Sequence, residues 1–179
     1  ALKKLTFGHR FDQPIDGVVW PTSLQELMFG VRFNHQIRKV SWPLALKHLE
    51  FGARFNQPID GVGWPSALER LVFGSDFNQS IVGVMWPMSL KFLSFGKQFT
   101  QAIETVTWPA SLQLLEFGTR FNEPIARVTW PATLKHLAFG KRFNQPIHRV
   151  AWPSSMQSLC LGRSFNQSIR GLRTWIPSL

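Results

Sequence analysis

Apolar positions along this chain recur in one order, L-x-x-L-x-F-G-x-x-F-x-x-x-I-x-x-V-x-W-P-x-x, and the order returns every 22 residues. Units begin at Leu2, Leu24, Leu46, Leu68, Leu90, Leu112, Leu134 and Met156. In the third unit the apolar set is Leu46, Leu49, Phe51, Phe55, Ile59, Val62 and Trp64. A period of this size marks a stacked architecture, in which no unit buries its own apolar face and each covers its neighbours.

Two half-units are visible, L-x-x-L-x-F-G and I-x-x-V-x-W-P, and each alternates like a short strand. Leu49 and Phe51 point in around Glu50; Val62 and Trp64 point in around Gly63. A breaker ends each half. The glycines at 8, 30, 52, 74, 96, 118, 140 and 162 predict a tight turn or a positive φ. The Pro after each Trp has no N–H to give a ladder, so it is expected to close a second strand. A helical reading fails, because Gly or Pro interrupts every unit before a stable helix length is reached. The expected fold is all-β: a β-solenoid of eight 22-residue coils with two short strands per coil. At roughly 4.8 Å per rung it would be about 40 Å long. Residues 1–179 read as a single repeat domain.

Stacking turns each unit position into a column. Phe11 to Phe165 forms one, Phe7 to Phe139 another (closed by Leu161), and Trp20 to Trp152 a third; their inward phase predicts internal ring stacks. Asn34, Asn56, Asn78, Asn122, Asn144 and Asn166 form a fourth, with Asp12 and Thr100 as substitutes. Each member keeps a side-chain oxygen, which predicts a buried ladder that satisfies backbone groups at a turn. Asn78-Gln79-Ser80 and Asn166-Gln167-Ser168 match a glycosylation sequon, but a buried ladder residue is a poor acceptor.

The run L-x-x-L-x-F-G-x-x-F-N-Q-P-I followed by W-P-x-S-L resembles the FNIP repeat, a 22-residue variant related to leucine-rich repeats. Phe55-Asn56-Gln57-Pro58-Ile59 and Phe143-Asn144-Gln145-Pro146-Ile147 carry it most clearly, and Phe121-Asn122-Glu123-Pro124-Ile125 is close. The resemblance covers essentially the whole chain. Departures are the Trp before Pro, where family members more often carry an aliphatic residue, and the loss of the F-N-x-P proline at Gln36, Ser80, Ala102 and Ser168. The family implies a repeat scaffold that binds proteins, and it supplies no catalytic residues.

Function therefore falls to the variable positions. Val72, Phe92 and Leu114 are expected on the outward side of neighbouring first strands, where other units show Lys4, Glu26, His48 or His136. A contiguous apolar patch there marks an interaction site. On the opposite side, Val19, Ser41, Gly63, Met85, Thr107, Thr129 and Ala151 form an uncharged strip able to lie flat against a partner. Arg10, Arg32, Arg54, Arg120 and Arg142 share a column beside the Gly turn, interrupted by Asp76, Gln98 and Ser164.

Composition sharpens this picture in three ways. Twenty Lys+Arg stand against 10 Asp+Glu, a net charge of +10. No acid follows Glu123, whereas Arg127, Lys135, Lys141, Arg142, Arg149, Arg163, Arg170 and Arg173 do, so the C-terminal units form a basic end. One cysteine, Cys160, excludes an internal disulfide framework. The five histidines (His9, His35, His48, His136, His148) occupy four different unit positions. Only His48 and His136 share one, and the rungs between them separate them too far for a shared metal. No cofactor motif, phosphate loop or nucleophile elbow appears, and no run is long enough to span a membrane. The absence of a leader and the single thiol favour an intracellular setting.

Neither end shows a polar cap, and Leu172-Arg173-Thr174-Trp175 reads as an insertion. These features point to a longer array, to end-to-end stacking, or to ends covered by partners. The leading expectation is a non-catalytic scaffold for protein–protein interaction or assembly, anchored at Val72, Phe92 and Leu114. The alternative is an electrostatic module for nucleic acid, polyphosphate or acidic polysaccharide, using Arg10, Arg32, Arg54, Arg120, Arg142, Lys141, Arg149, Arg163 and Arg170.

Overall fold

Leu5 and its counterparts one unit apart, each flanked by two outward side chains, give short strands that close their backbone hydrogen bonds only against the next unit. In the computed structural model, which describes residues 1–172, eight such strands follow in chain order. They are β1 (Lys4–Thr6), β2 (Glu26–Met28), β3 (His48–Glu50), β4 (Arg70–Val72), β5 (Phe92–Ser94), β6 (Leu114–Glu116), β7 (His136–Ala138) and β8 (Ser158–Cys160). All pair in parallel to form one sheet in sequential order. The register is the repeat itself: Leu5 meets Leu27, Leu27 meets Leu49, and so on to Leu159. We number the rungs one to eight from their opening residues. Among the described residues the one helical segment is a single 3-10 turn, Arg170–Leu172. The proposed insertion from Arg173 onward lies outside the described residues.

Among the described residues the second strand of the coil does not form. Along I-x-x-V-x-W-P the chain instead makes local turns: Val40 N–H donates to Ile37 C=O, and Leu46 N–H to Pro43 C=O, at 3.2 and 3.1 Å. The same pair of bonds recurs in the neighbouring rungs. Alternation predicted the burial correctly, since Val62 is 4% exposed and Trp86 9%. It could not predict the spacing between rungs. Parallel strands need about 4.7–4.9 Å between neighbours. Ring centroids in the Phe7 column stand 5.2–5.7 Å apart, in the Phe11 column 6.1–6.3 Å, and in the Trp column 6.2–6.4 Å. The rungs fan apart away from the sheet, so backbone pairing holds only on the sheet side, and the sheet lines the concave surface.

The expected tight turn follows the glycines, as where Phe55 N–H donates to Gly52 C=O at 3.2 Å, but a positive φ is not what fixes the residue. Of its eight members only Gly162 has a positive φ, 79°. Gly8, with no rung before it, has open space around it, but the six from Gly30 to Gly140 are required by close approach: a Cβ at Gly96 would lie 1.7 Å from the carbonyl oxygen of Gly74 one rung earlier. Gly30, Gly52, Gly74, Gly118 and Gly140 meet the same obstacle at 1.8–2.1 Å.

Between sheet and outer edge the core is continuous. Phe33, Phe55, Phe77, Phe99, Phe121 and Phe143 are each 0% exposed and stack on one another through the molecule. Within a rung the two Phe columns stack closely, Phe51 on Phe55 at 4.0 Å. The Asn ladder forms as well. Oδ1 of Asn34 accepts the Asn56 N–H, and Oδ1 of Asn56 accepts the Asn78 N–H, both at 2.9 Å. A parallel row is donated by Gln: Gln57 and Gln79 Nε2 each reach the Asn carbonyl one rung back at 3.1 Å. The ladder runs at the surface and not in the core, with Asn78 half-buried and Asn166 exposed. The chain leaves the sheet at the Gly corner, so the turn that follows cannot be enclosed.

Candidate functional site

The concave face presents two outward columns, one from the first and one from the third residue of each strand. Lys4, Glu26, His48, Arg70, Phe92, Leu114, His136 and Ser158 make the first. Thr6, Met28, Glu50, Val72, Ser94, Glu116, Ala138 and Cys160 make the second. Val72 is therefore not in line with Phe92 and Leu114: the register partner of Phe92 is Arg70, with Val72 one column over. The three remain on one face over rungs four to six, and all are half-buried. The Arg70 guanidinium carbon sits 3.6 Å from the Phe92 ring centroid, a cation–π contact that covers one edge of the patch.

Charge divides this face. On rungs one to three Lys4 Nζ lies 2.9 Å from Glu26, and His48 Nδ1 lies 3.8 Å from the same carboxylate. The hydrogen bond from Lys4 is the largest cause holding the Glu26 carboxyl below its ordinary value. Beside the strands, Lys91 donates to Glu69 at 3.0 Å and likewise depresses that carboxyl, with Lys47 adding charge from 3.9 Å. Arg38 pairs with Asp60, and His35 Nε2 stands 3.0 Å from Asp12. Every one of these pairs lies within rungs one to five.

The basic residues fall on two separate edges. Arg10, Arg32, Arg54, Arg120 and Arg142 are exposed at the Gly corner, where Lys141 and Arg163 join them. A shallow groove of about 650 Å³ runs along this corner past Gly118, Gly140, Lys141, exposed Cys160 and Arg163. Arg149 and Arg170 are exposed at the other edge, after the Ile column, which is buried at Ile147 and exposed at Ile169. Among the described residues none of the cations beyond Glu123 has an acidic partner.

Sequence reasoning missed one feature. Leu44 and Met88, just after Trp-Pro, are 82% and 89% exposed, beside Val19 at 94% and Met85 at 79%. They share a variable column with Thr22, Ser66, Ala110, Ala132 and Ser154, and that alternation of large and small residues was the available signal. Val19 and Leu44 border a groove floored by Trp20, Trp42 and Pro43. Among the described residues no group of three His, Cys, Asp or Glu side chains is placed to hold a metal ion. No helix there is long and apolar enough to cross a membrane.

A one-sheet parallel solenoid with a concave strand face and an Asn ladder defines a leucine-rich-repeat type of protein. The FNIP Repeat family matches residues 11–54, 33–76, 55–98, 77–120 and 99–142 in overlapping pairs of units, and the chain belongs to that family. A solved structure described as "CroV588 a novel circular LRR protein structure" is similar at 35% identity and a TM-score of 0.63. The match covers 94% of this chain and 31% of that one. No curated protein matches the sequence.

Proposed function

We propose that this solenoid is a non-catalytic scaffold that holds a protein partner against its concave face, with Val72, Phe92 and Leu114 as the apolar anchor. The observation that supports the reading is the position of the three side chains: adjacent rungs, one face, half-buried, with charged neighbours on the N-terminal side. A short apolar patch inside a polar rim is the usual anatomy of a binding surface. The concavity lets a partner touch several rungs at once. The similarity to a circular leucine-rich-repeat structure, which this chain matches over 31% of its length, supports reading the rungs as a section of a larger curved array.

A second reading has its own support. Among the described residues all ion pairs lie in rungs one to five, and Arg120, Lys141, Arg142 and Arg163 crowd one corner with no acid among them. A polyanion bound there would relieve like charges on neighbouring rungs. One experiment separates the readings: capture from the native source at two salt concentrations, with wild type, with Val72→Asp/Phe92→Asp/Leu114→Asp, and with Arg120→Ser/Lys141→Ser/Arg142→Ser/Arg163→Ser. The scaffold reading expects capture to be lost in the first variant and to survive raised salt. Capture that survives the three aspartates but collapses with salt and in the serine variant moves the assignment to the basic corner.

A further inference from the structure

The Asn ladder is not continuous. Each rung from the second to the fifth donates its ladder N–H to the side chain one rung earlier, ending with Thr100 N–H on Asn78 Oδ1 at 2.9 Å. It resumes with Asn144 on Asn122 at 2.7 Å and Asn166 on Asn144 at 2.8 Å. Between Thr100 and Asn122 no such bond exists. The Thr100 hydroxyl turns back to rung four, 3.4 Å from Asn78 Oδ1 and 3.3 Å from Asn78 Nδ2. That leaves the Asn122 N–H without its acceptor.

The companion row fails at the same place. Gln57, Gln79, Gln101 and Gln145 each donate Nε2 to the carbonyl one rung back, at 2.9–3.1 Å. The residue in this column on rung six is Glu123, whose carboxylate has no proton to give to the Thr100 carbonyl. Ring packing registers the gap. Phe99 and Phe117 are inclined at 26°, against 15–19° for the equivalent pairs at the three junctions before. Among the described residues no ion pair bridges rungs five and six or either later junction, whereas every earlier junction has one. On the sheet side the junction is intact: β5 pairs with β6, and Arg120 N–H donates to Lys97 C=O at 3.0 Å.

We infer that the solenoid carries a hinge between rungs five and six, which opens at the Asn corner and pivots on the β5–β6 pairing. Two substitutions, Thr100 for Asn and Glu123 for Gln, remove the Asn-corner fastenings of one junction, while the strand pairing persists and the Thr133 hydroxyl still donates to the Ala110 carbonyl at 2.6 Å past the Trp-Pro pair. Motion then follows the remaining bonds, as in other hinges that flex about a retained contact. Phe92 and Leu114 stand on opposite sides of the pivot, so opening changes the curvature of the concave face between them. The inference rests on hydrogen bonds and ring geometry alone and stands whether or not that face binds a partner.

Restoring both fastenings tests it. In wild type the Asn122 amide is expected to exchange with deuterium at least tenfold faster than the ladder amides of Asn56, Asn78 and Asn144. In Thr100→Asn/Glu123→Gln it should slow to match them. Spin labels at Ser66→Cys and Ser154→Cys, in a Cys160→Ser background, read the motion itself: the distance distribution should narrow when the ladder is restored. Should the double variant fold poorly, Asn56→Thr/Gln79→Glu is expected to create a second fast amide, at Asn78. Slow exchange at Asn122 in wild type, or a label distribution unmoved by the restored ladder, would overturn the hinge.

Discussion

Gly96 cannot carry a side chain, and the reason lies in its neighbour rather than in its own dihedral angles. A methyl group there would sit 1.7 Å from the Gly74 oxygen, so two rungs must part or shear to admit it. Gly96→Ala should cost more than about 2 kcal/mol, in the range of an overpacked core. Gly63 is the internal control: it is exposed, has no positive φ, and a Cβ there meets nothing within 4 Å. Gly63→Ala should be neutral or stabilising by up to about 1 kcal/mol, through the loss of unfolded-chain freedom. Urea unfolding of the two variants measures the contrast, and equal costs would refute the close-approach explanation. The sequence announced a special residue at this column but not which constraint made it special. A repeat reveals that a position is fixed; only the distance to the next rung reveals what fixes it.

At the scale of the element, the strand and the ladder are complementary fasteners, one on each side of the Phe columns. Asn56 shows what the ladder contributes. Its Oδ1 accepts the Asn78 N–H at 2.9 Å and the Gln79 Nε2 at 3.0 Å. Asn56→Ala strands the Asn78 N–H at a half-buried turn and leaves Gln79 Nε2 only the Asn56 carbonyl at 3.1 Å, and should destabilise by about 1–3 kcal/mol, the cost of an unmet donor. Asn56→Asp keeps the oxygen and should recover most of that loss in the same denaturant titration. If the two variants are equally unstable, the oxygen is not what the ladder uses. This role was legible beforehand, because the substitutes Asp12 and Thr100 share an oxygen with Asn and little else. The break was not. Thr100 qualifies as an acceptor on paper, yet its short side chain serves the rung behind and not the rung ahead. The second strand was misjudged for a related reason: inward phase follows from alternation, but a ladder needs rungs at strand spacing, and curvature denies that at the Trp edge. Val72 was placed one column out because unit position was judged by outward phase alone, and two residues of one strand share that phase.

For the whole molecule, stability is a sum of rung interfaces, and the interfaces differ in kind. The repeat allows a clean test, since removing one complete unit keeps the register of everything that remains. Deleting residues 68–89, rung four, brings rung three against rung five. Asn56 then faces Thr100 and the ladder bond can re-form, but Glu69 is gone, and Lys47 and Lys91, which it bridges at 3.9 and 3.0 Å, confront each other directly. Deleting residues 90–111, rung five, brings rung four against rung six. Asn78 then faces the Asn122 N–H that has no acceptor now, and the Lys47–Glu69 pair survives. The first deletion discards a sound junction and the second discards the weak one. Both products should remain folded with cooperative urea transitions, and the one lacking rung five should have the higher midpoint. Removing half a unit, residues 90–100, shifts every later side chain out of its column and should abolish the transition. Were the two whole-unit deletions equally stable, the rungs would be interchangeable, and the differences in fastening described above would carry no energetic weight.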